Sequence, residues 1–127
     1  MTDRSLPAPP QTPESAPFYA AAAAGRFLLR RCTQCGRTHW YPRALCPFCF
    51  GATAWEAHDG RGTIYSYSVM RRVTPNYAIA YVALAGGPTL MTNLVDCDFD
   101  ALRIGQPVRL VFRPSADGTP VACFTPD

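Results

Sequence analysis

The residues here best suited to chemistry are cysteines, and four of the six fall in two C-x-x-C pairs. Cys32-Thr33-Gln34-Cys35 and Cys46-Pro47-Phe48-Cys49 are separated by ten residues. Two such knuckles in one loop-rich stretch let four thiolates converge on a single tetrahedral ion with no position left open, which is how structural zinc is held. Iron fits the same cage, but nothing else in the sequence points to electron transfer, so zinc is expected. A redox-active pair would stand alone at a helix start behind a strand, and this Pro-, Gly- and Arg-rich loop offers no such context. With four sulfurs filling the site, His39 is read as a surface or packed side chain beside Trp40. A knuckle needs backbone freedom just after its second cysteine, and Gly36 supplies it in the first. In the second, Phe50 stands at that place and Gly51 follows one residue late. Either Phe50 accepts a positive φ or the turn is rebuilt around Gly51.

The remaining candidates exclude more than they suggest. Cys97 and Cys123 have no histidine nearby in the chain and read as small buried hydrophobes. No P-loop, dinucleotide fingerprint or G-x-S-x-G elbow is present, and the absence of lysine removes Schiff-base chemistry. Asp96, Asp98 and Asp100 alternate like the opening of a calcium loop, but Ala101 replaces the glycine and Pro107 the closing glutamate, so helix capping is the expected role. The formal charge of +3 counts the cysteines as neutral. Four thiolates around one Zn²⁺ would lower it to about +1, which weakens any case for nucleic acid. Five arginines between Arg26 and Arg43, with no acid among them, form a basic face.

These groups need a frame. At 127 residues the chain allows one ordinary domain or two very small ones. No stretch approaches the ~20 apolar residues of a membrane span, and Met1 to Pro17 lacks an apolar signal core, so the sequence reads as cytoplasmic. Residues 1–13, with four prolines, are expected to be a disordered leader. Residues 14–25 are expected to hold a helix capped by Ser15 and stopped at Gly25. So short a helix needs an anchor for Phe18 and Tyr19, either this chain's own ribbon or another protein.

Residues 26–60 read as a small three-stranded ribbon, with strands at 26–31, 39–41 and 52–57 and with Trp40 and Trp55 over the metal site. Residues 61–127 read as a barrel with strands at 63–70, 77–85, 88–95, 107–113 and 120–125. Gly86-Gly87 marks a two-residue hairpin, and a short helix is expected over 98–104. Along the first of these strands Tyr65, Tyr67 and Val69 alternate with Ser66 and Ser68. Five strands with one small helix between the third and fourth match the order of an OB-fold.

Four motifs in this order carry a more specific likeness. P-F-Y-A-A-A-A-A-G-R-F-L-L-R-R-C-T-Q-C-G, W-Y-P-R-A-L-C-P-F-C, G-R-G-T-I-Y-S-Y-S-V and I-G-Q-P-V-R-L-V-F together resemble the acyl-CoA-associated family that joins a rubredoxin-like zinc ribbon to an OB-fold, formerly a domain of unknown function. The likeness spans about residues 16–125 and departs from the family at Phe50-Gly51. It implies a mainly β chain with an N-terminal helix, a Zn²⁺ held by Cys32, Cys35, Cys46 and Cys49, and no catalytic machinery of its own. It further implies an accessory subunit in a hetero-oligomer with a thiolase-fold enzyme or a hot-dog-fold hydratase. There the helix carrying Phe18 and Tyr19, together with the ribbon, would face the partner, and the barrel would lie near the CoA entrance. Arg71 and Arg72, paired at a strand end, are the candidates for CoA phosphates. The competing expectation is a single-strand nucleic-acid module that stacks bases on Tyr65, Tyr67 and Tyr77.

Overall fold

The computed structural model describes residues 4–127. Residues 1–3 of the expected leader lie outside the described residues. The rest of the leader lies on the barrel. Leu6 is buried and its carbonyl accepts from the Ala116 amide, while the Arg4 guanidinium sits 3.9 Å from the centre of the Tyr77 ring. Proline-rich composition did not reveal that a single leucine finds a slot beside the 115–118 turn.

The first helix, α1, spans Ala16–Ala23. Ser15 does not cap it as expected, because Ser15 already has helical backbone angles. The cap is set one turn earlier and is reciprocal. Thr12 Oγ1 accepts from the Ser15 amide (3.2 Å), and Ser15 Oγ accepts from the Thr12 amide (2.9 Å), which is a capping box. At the other end the Arg26 and Gly25 amides donate back to the Ala21 and Ala22 carbonyls, the bond pair of a Schellman turn.

Strands β1 (Leu28–Cys32), β2 (Thr38–His39) and β3 (Thr53–Ala57) form a three-stranded sheet in the order β2-β1-β3. The five longer strands β4 (Arg61–Met70), β5 (Tyr77–Leu84), β6 (Thr89–Leu94), β7 (Pro107–Pro114) and β8 (Pro120–Pro126) close a barrel in the order β4-β5-β6-β8-β7. Closure runs through the antiparallel β4–β7 pair and a short parallel contact of Leu94 with Phe124, and it leaves the sheet no free edge. This is the OB-fold. Its interior holds Ile64, Val82, Leu84, Leu90, Leu94, Val108 and Phe124. Among the described residues, no helix is long and apolar enough to cross a membrane.

The connections differ from expectation in three places. The β5–β6 hairpin closes on a bond from the Leu84 amide to the Pro88 carbonyl, so Ala85 and Pro88 belong to the turn. Between β6 and β7 only Phe99–Ala101 is helical, as a single 3₁₀ turn capped by Asp98, whose Oδ1 accepts from the Asp100 amide at 3.0 Å. In β4 the register shifts between Ile64 and Ser66. Val69, opposite buried Ala78, packs against the core, and Tyr67, opposite buried Ala80, stays 36% exposed, while Tyr65 is the extra residue of the bulge and points to solvent.

One aromatic cluster joins ribbon, helix and barrel. Phe18 lies edge-on to Tyr19 (5.0 Å), Trp40 (5.2 Å) and Phe27 (6.1 Å), and Phe27 reaches Phe112 of β7 at 6.4 Å. Trp40 therefore packs into the junction and not over the metal site. The covalent joint is tight as well. A Cβ at Gly62 would lie 2.6 Å from the Ala83 carbonyl oxygen, so the second glycine of G-R-G is required by close packing of β4 on β5. His58 locks this joint, its Nδ1 accepting from the Gly60 amide (2.9 Å) and its Nε2 bonding the Ala85 carbonyl (2.8 Å). Nε2 must therefore carry the proton. His58→Ala strips both bonds from a mostly buried place and is expected to cost about 1–3 kcal/mol in urea unfolding of the metal-loaded protein.

Candidate metal centre and neighbouring surfaces

The two knuckles are built alike. In the first, Cys32 Sγ accepts from the Gln34 and Cys35 amides, each at 3.3 Å, and the Gly36 amide donates to the Cys32 carbonyl at 3.1 Å. In the second, Cys46 Sγ accepts from the Phe48 amide at 3.4 Å and the Phe50 amide donates to the Cys46 carbonyl at 2.9 Å. Phe50 thus occupies the place of Gly36, and it does so with φ +62° against +76° for the glycine. Gly51 lets the turn pass close to a metal-site sulfur and to the movable end of Gln34. A Cβ there would stand 2.6 Å from Gln34 Oε1 and 3.1 Å from Cys32 Sγ. Of the two backbone solutions the sequence left open, the positive φ at Phe50 is the one adopted.

This arrangement brings Cys32, Cys35, Cys46 and Cys49 together, with the four sulfurs all within 4.8 Å of one another. The Cys32–Cys49 and Cys35–Cys46 separations are 3.4 and 3.7 Å. A zinc tetrahedron with bonds of about 2.3 Å has edges of about 3.8 Å, so the cage fits the ion. The backbone amide of Cys35, aided by that of Gln34, pulls the Cys32 thiol down to about 6, whereas its hydrogen-bonded neighbour Cys49 is pushed up to about 11, so the pair shares one proton that a cation would displace. These four residues would hold a Zn²⁺ whose part is structural, since no side is left for substrate.

Around the cage, Trp55 carries the Arg30 guanidinium 4.1 Å above its ring, and Arg31 pairs with Glu56 at 3.1 Å. His39 is buried, with neither ring nitrogen bonded among the described residues. Burial, with Arg43 and Arg30 nearby, holds it below the usual histidine range and hence neutral. The packed reading of His39 is the one observed.

The other candidate residues are not gathered into one site. Phe18 and Tyr19 are buried in this chain's own core, and the Tyr19 and Tyr41 hydroxyls meet at 3.0 Å. The anchor of the helix is therefore internal, so neither ring is available to a partner while α1 is docked. Arg71 and Arg72 lie in the exposed β4–β5 connection, with Arg71 paired to Asp100 at 2.8 Å. Asp96, Asp98 and Asp100 point to three different tasks, pairing with Arg113, capping and pairing with Arg71, so they form no cation loop. Tyr65, Tyr67 and Tyr77 make no continuous stacking row. Arg4 covers Tyr77, and the Tyr67 hydroxyl donates to the Leu102 carbonyl at 2.9 Å.

Known proteins share this architecture. A family profile described as "ChsH2, rubredoxin-like zinc ribbon domain" matches residues 20–56, and "ChsH2, C-terminal OB-fold domain" matches residues 55–113. A protein of Methanothermobacter thermautotrophicus called "DUF35 domain-containing scaffold protein" is 36% identical over 91 residues, covering 65% of this chain and 68% of that protein. The chain belongs to the DUF35 family. Another relative, "Probable enoyl-CoA hydratase alpha subunit" of Thermomonospora curvata, is 34% identical over 112 residues, or 82% of this chain but only 34% of that longer protein. Among solved structures, a chain of "Ltp2-ChsH2(DUF35) aldolase" superposes with a TM-score of 0.80 at 29% identity, covering 94% of this chain and 98% of that one. A DUF35 protein of Sulfolobus solfataricus shares the fold at 15% identity and a TM-score of 0.67.

Proposed function

We propose that this chain is a non-catalytic accessory subunit of an acyl-CoA-processing complex, where it stabilises the assembly and helps to bind or channel the CoA portion of the substrate. The observation that carries this reading is the near full-length likeness to the DUF35 chain of an aldolase, 94% of one chain on 98% of the other. A relative named as a scaffold protein supports it, as does one named as a hydratase subunit. The partner is read as a thiolase-fold enzyme subunit, with a hot-dog-fold hydratase as the other candidate. The chemistry of the spare thiols agrees. Burial pushes Cys123 up to about 11 and also raises Cys97, which leaves both protonated at neutral pH and poor as nucleophiles.

Affinity purification of the tagged protein from its native extract, with mass spectrometry of whatever is recovered in stoichiometric amount, tests the reading. An acyl-CoA enzyme subunit is expected. Recovery of the protein alone, or with nucleic acid, overturns the accessory role.

Arg71 and Arg72 are the residues proposed to meet CoA phosphates in that complex. Arg71 would have to exchange Asp100 for a phosphate, and both partners are exposed enough for the exchange to be inexpensive. The double variant Arg71→Ala, Arg72→Ala is expected to weaken CoA binding to the assembled complex by about 10-fold or more, with an unchanged unfolding midpoint for the free chain. Equal affinity by calorimetry removes these arginines from the site.

A further inference from the structure

The second knuckle carries a cost that folding does not require. Its turn needs a residue with φ near +60°, a conformation natural to glycine and used by glycine at the equivalent Gly36. Phenylalanine stands there instead, and its ring is 78% exposed. Strain at a non-glycine residue persists where something other than local stability selects it. Two more apolar side chains flank it on the same short loop, Leu45 at 57% and Phe48 at 55% exposure. The loop is rigid, because Leu45 bridges to Ala52 and the Cys46 carbonyl and amide are both bonded across the turn, to Phe50 and Gly51. Three large apolar groups on a pre-formed tip lose little entropy on docking, and aromatic anchors of this kind dominate binding energy in protein interfaces.

The charge around the tip indicates what it meets. The Arg37 guanidinium lies 4.8 Å from the Phe48 ring centre, and Arg43 stands two residues before Leu45. No acid occurs between residues 26 and 55. We infer that the knuckle tip of Leu45, Phe48 and Phe50 inserts into an apolar pocket on the enzyme subunit of the complex, and that acidic side chains on the pocket's rim face Arg37 and Arg43. This inference rests on the accessory role proposed above and narrows the ribbon face that the resemblance implies to three side chains at one knuckle tip. The arginines would set encounter rate and orientation, and the rings would set the lifetime of the complex.

The test uses the zinc-loaded full chain and the purified enzyme subunit identified by co-purification. Phe50→Gly is expected to weaken their binding by about 30-fold or more. The melting temperature of the free protein should be unchanged or higher, since glycine relieves the positive φ. Tyr65→Ser, which removes an exposed ring from the barrel bulge, is expected to leave affinity within about 2-fold of wild type. A photo-crosslinking phenylalanine analogue at position 50 should attach to an apolar segment of the enzyme with Asp or Glu beside it. Equal affinity for Phe50→Gly overturns the docking surface while the accessory role stands. A lower melting temperature assigns the ring a structural task and also overturns it. If wild type binds no enzyme subunit, both readings fall. Self-association of wild type that Phe50→Gly abolishes, measured by sedimentation, gives the tip to a second copy and rejects the enzyme as its occupant.

Discussion

Stripping the metal from the zinc-loaded protein with a strong chelator is expected to shift tryptophan emission to the red and to melt residues 26–58, while the barrel keeps its fold. Both tryptophans of the chain, Trp40 and Trp55, lie in the ribbon segment, so their emission follows the ribbon and, through Trp40, its junction with the helix. The ribbon has little of its own to hold it. Its buried apolar side chains are Phe27, which packs into the junction, Leu29 and the metal-site cysteines Cys32 and Cys46, and β2 is only two residues long. A tetrathiolate site contributes an apparent ~10–16 kcal/mol at neutral pH, comparable to the whole stability of an ordinary domain. Without the cation, sulfurs 3.4–3.7 Å apart must take up protons or move away from one another. The barrel, by contrast, has a continuous core from Ile64 to Phe124 and closed strand pairing. Cys46→Ser should reproduce the effect of the chelator. Backbone amide spectra separate the outcomes: lost dispersion for residues 26–58 with retained shifts over 77–94 is expected. Unchanged ribbon shifts in the metal-free protein would show that the fold does not depend on the ion.

The metal site was readable because its information is local. Each C-x-x-C fixes its own turn, and ten intervening residues allow the two turns to meet. The barrel was readable from strand count and order, since closure is what so small a β domain needs. What escaped depends on contacts between distant parts of the chain. The bulge that expels Tyr65 falls just after Ile64, whose amide donates to the Gln106 carbonyl and whose carbonyl accepts from the Gly105 amide while it stays in register with Val82, and alternation within β4 carries no trace of it. The same holds for Leu6, whose carbonyl is held by the Ala116 amide more than a hundred positions away. Trp40 lies close to the first knuckle in sequence, yet its neighbours are Phe18 and Phe27. Phe50 departs from the knuckle pattern in the sequence itself. Only the observed φ and exposure turned that departure into evidence for an interaction surface.

Phe18→Ala is expected to lower the stability of the free, zinc-loaded protein by about 3–5 kcal/mol in denaturant unfolding. Phe18 is 1% exposed and lies against Tyr19, Phe27 and Trp40, so truncation leaves a void with walls from three elements that cannot all close on it. The measurement also decides between the two supports the sequence allowed for α1. A side chain held in reserve for a partner would be exposed in the free chain, and its loss would weaken only the complex. A side chain that is the keystone of the ribbon–barrel junction destabilises the free chain first, and affinity then falls in proportion to the folded fraction. Phe18→Leu, which keeps most of the volume, should recover more than half of the loss because the requirement is filling and not aromatic recognition. If Phe18→Ala leaves the free protein's unfolding midpoint in place, the helix is not docked in solution as it is here, and its rings return to being candidates for the partner's surface.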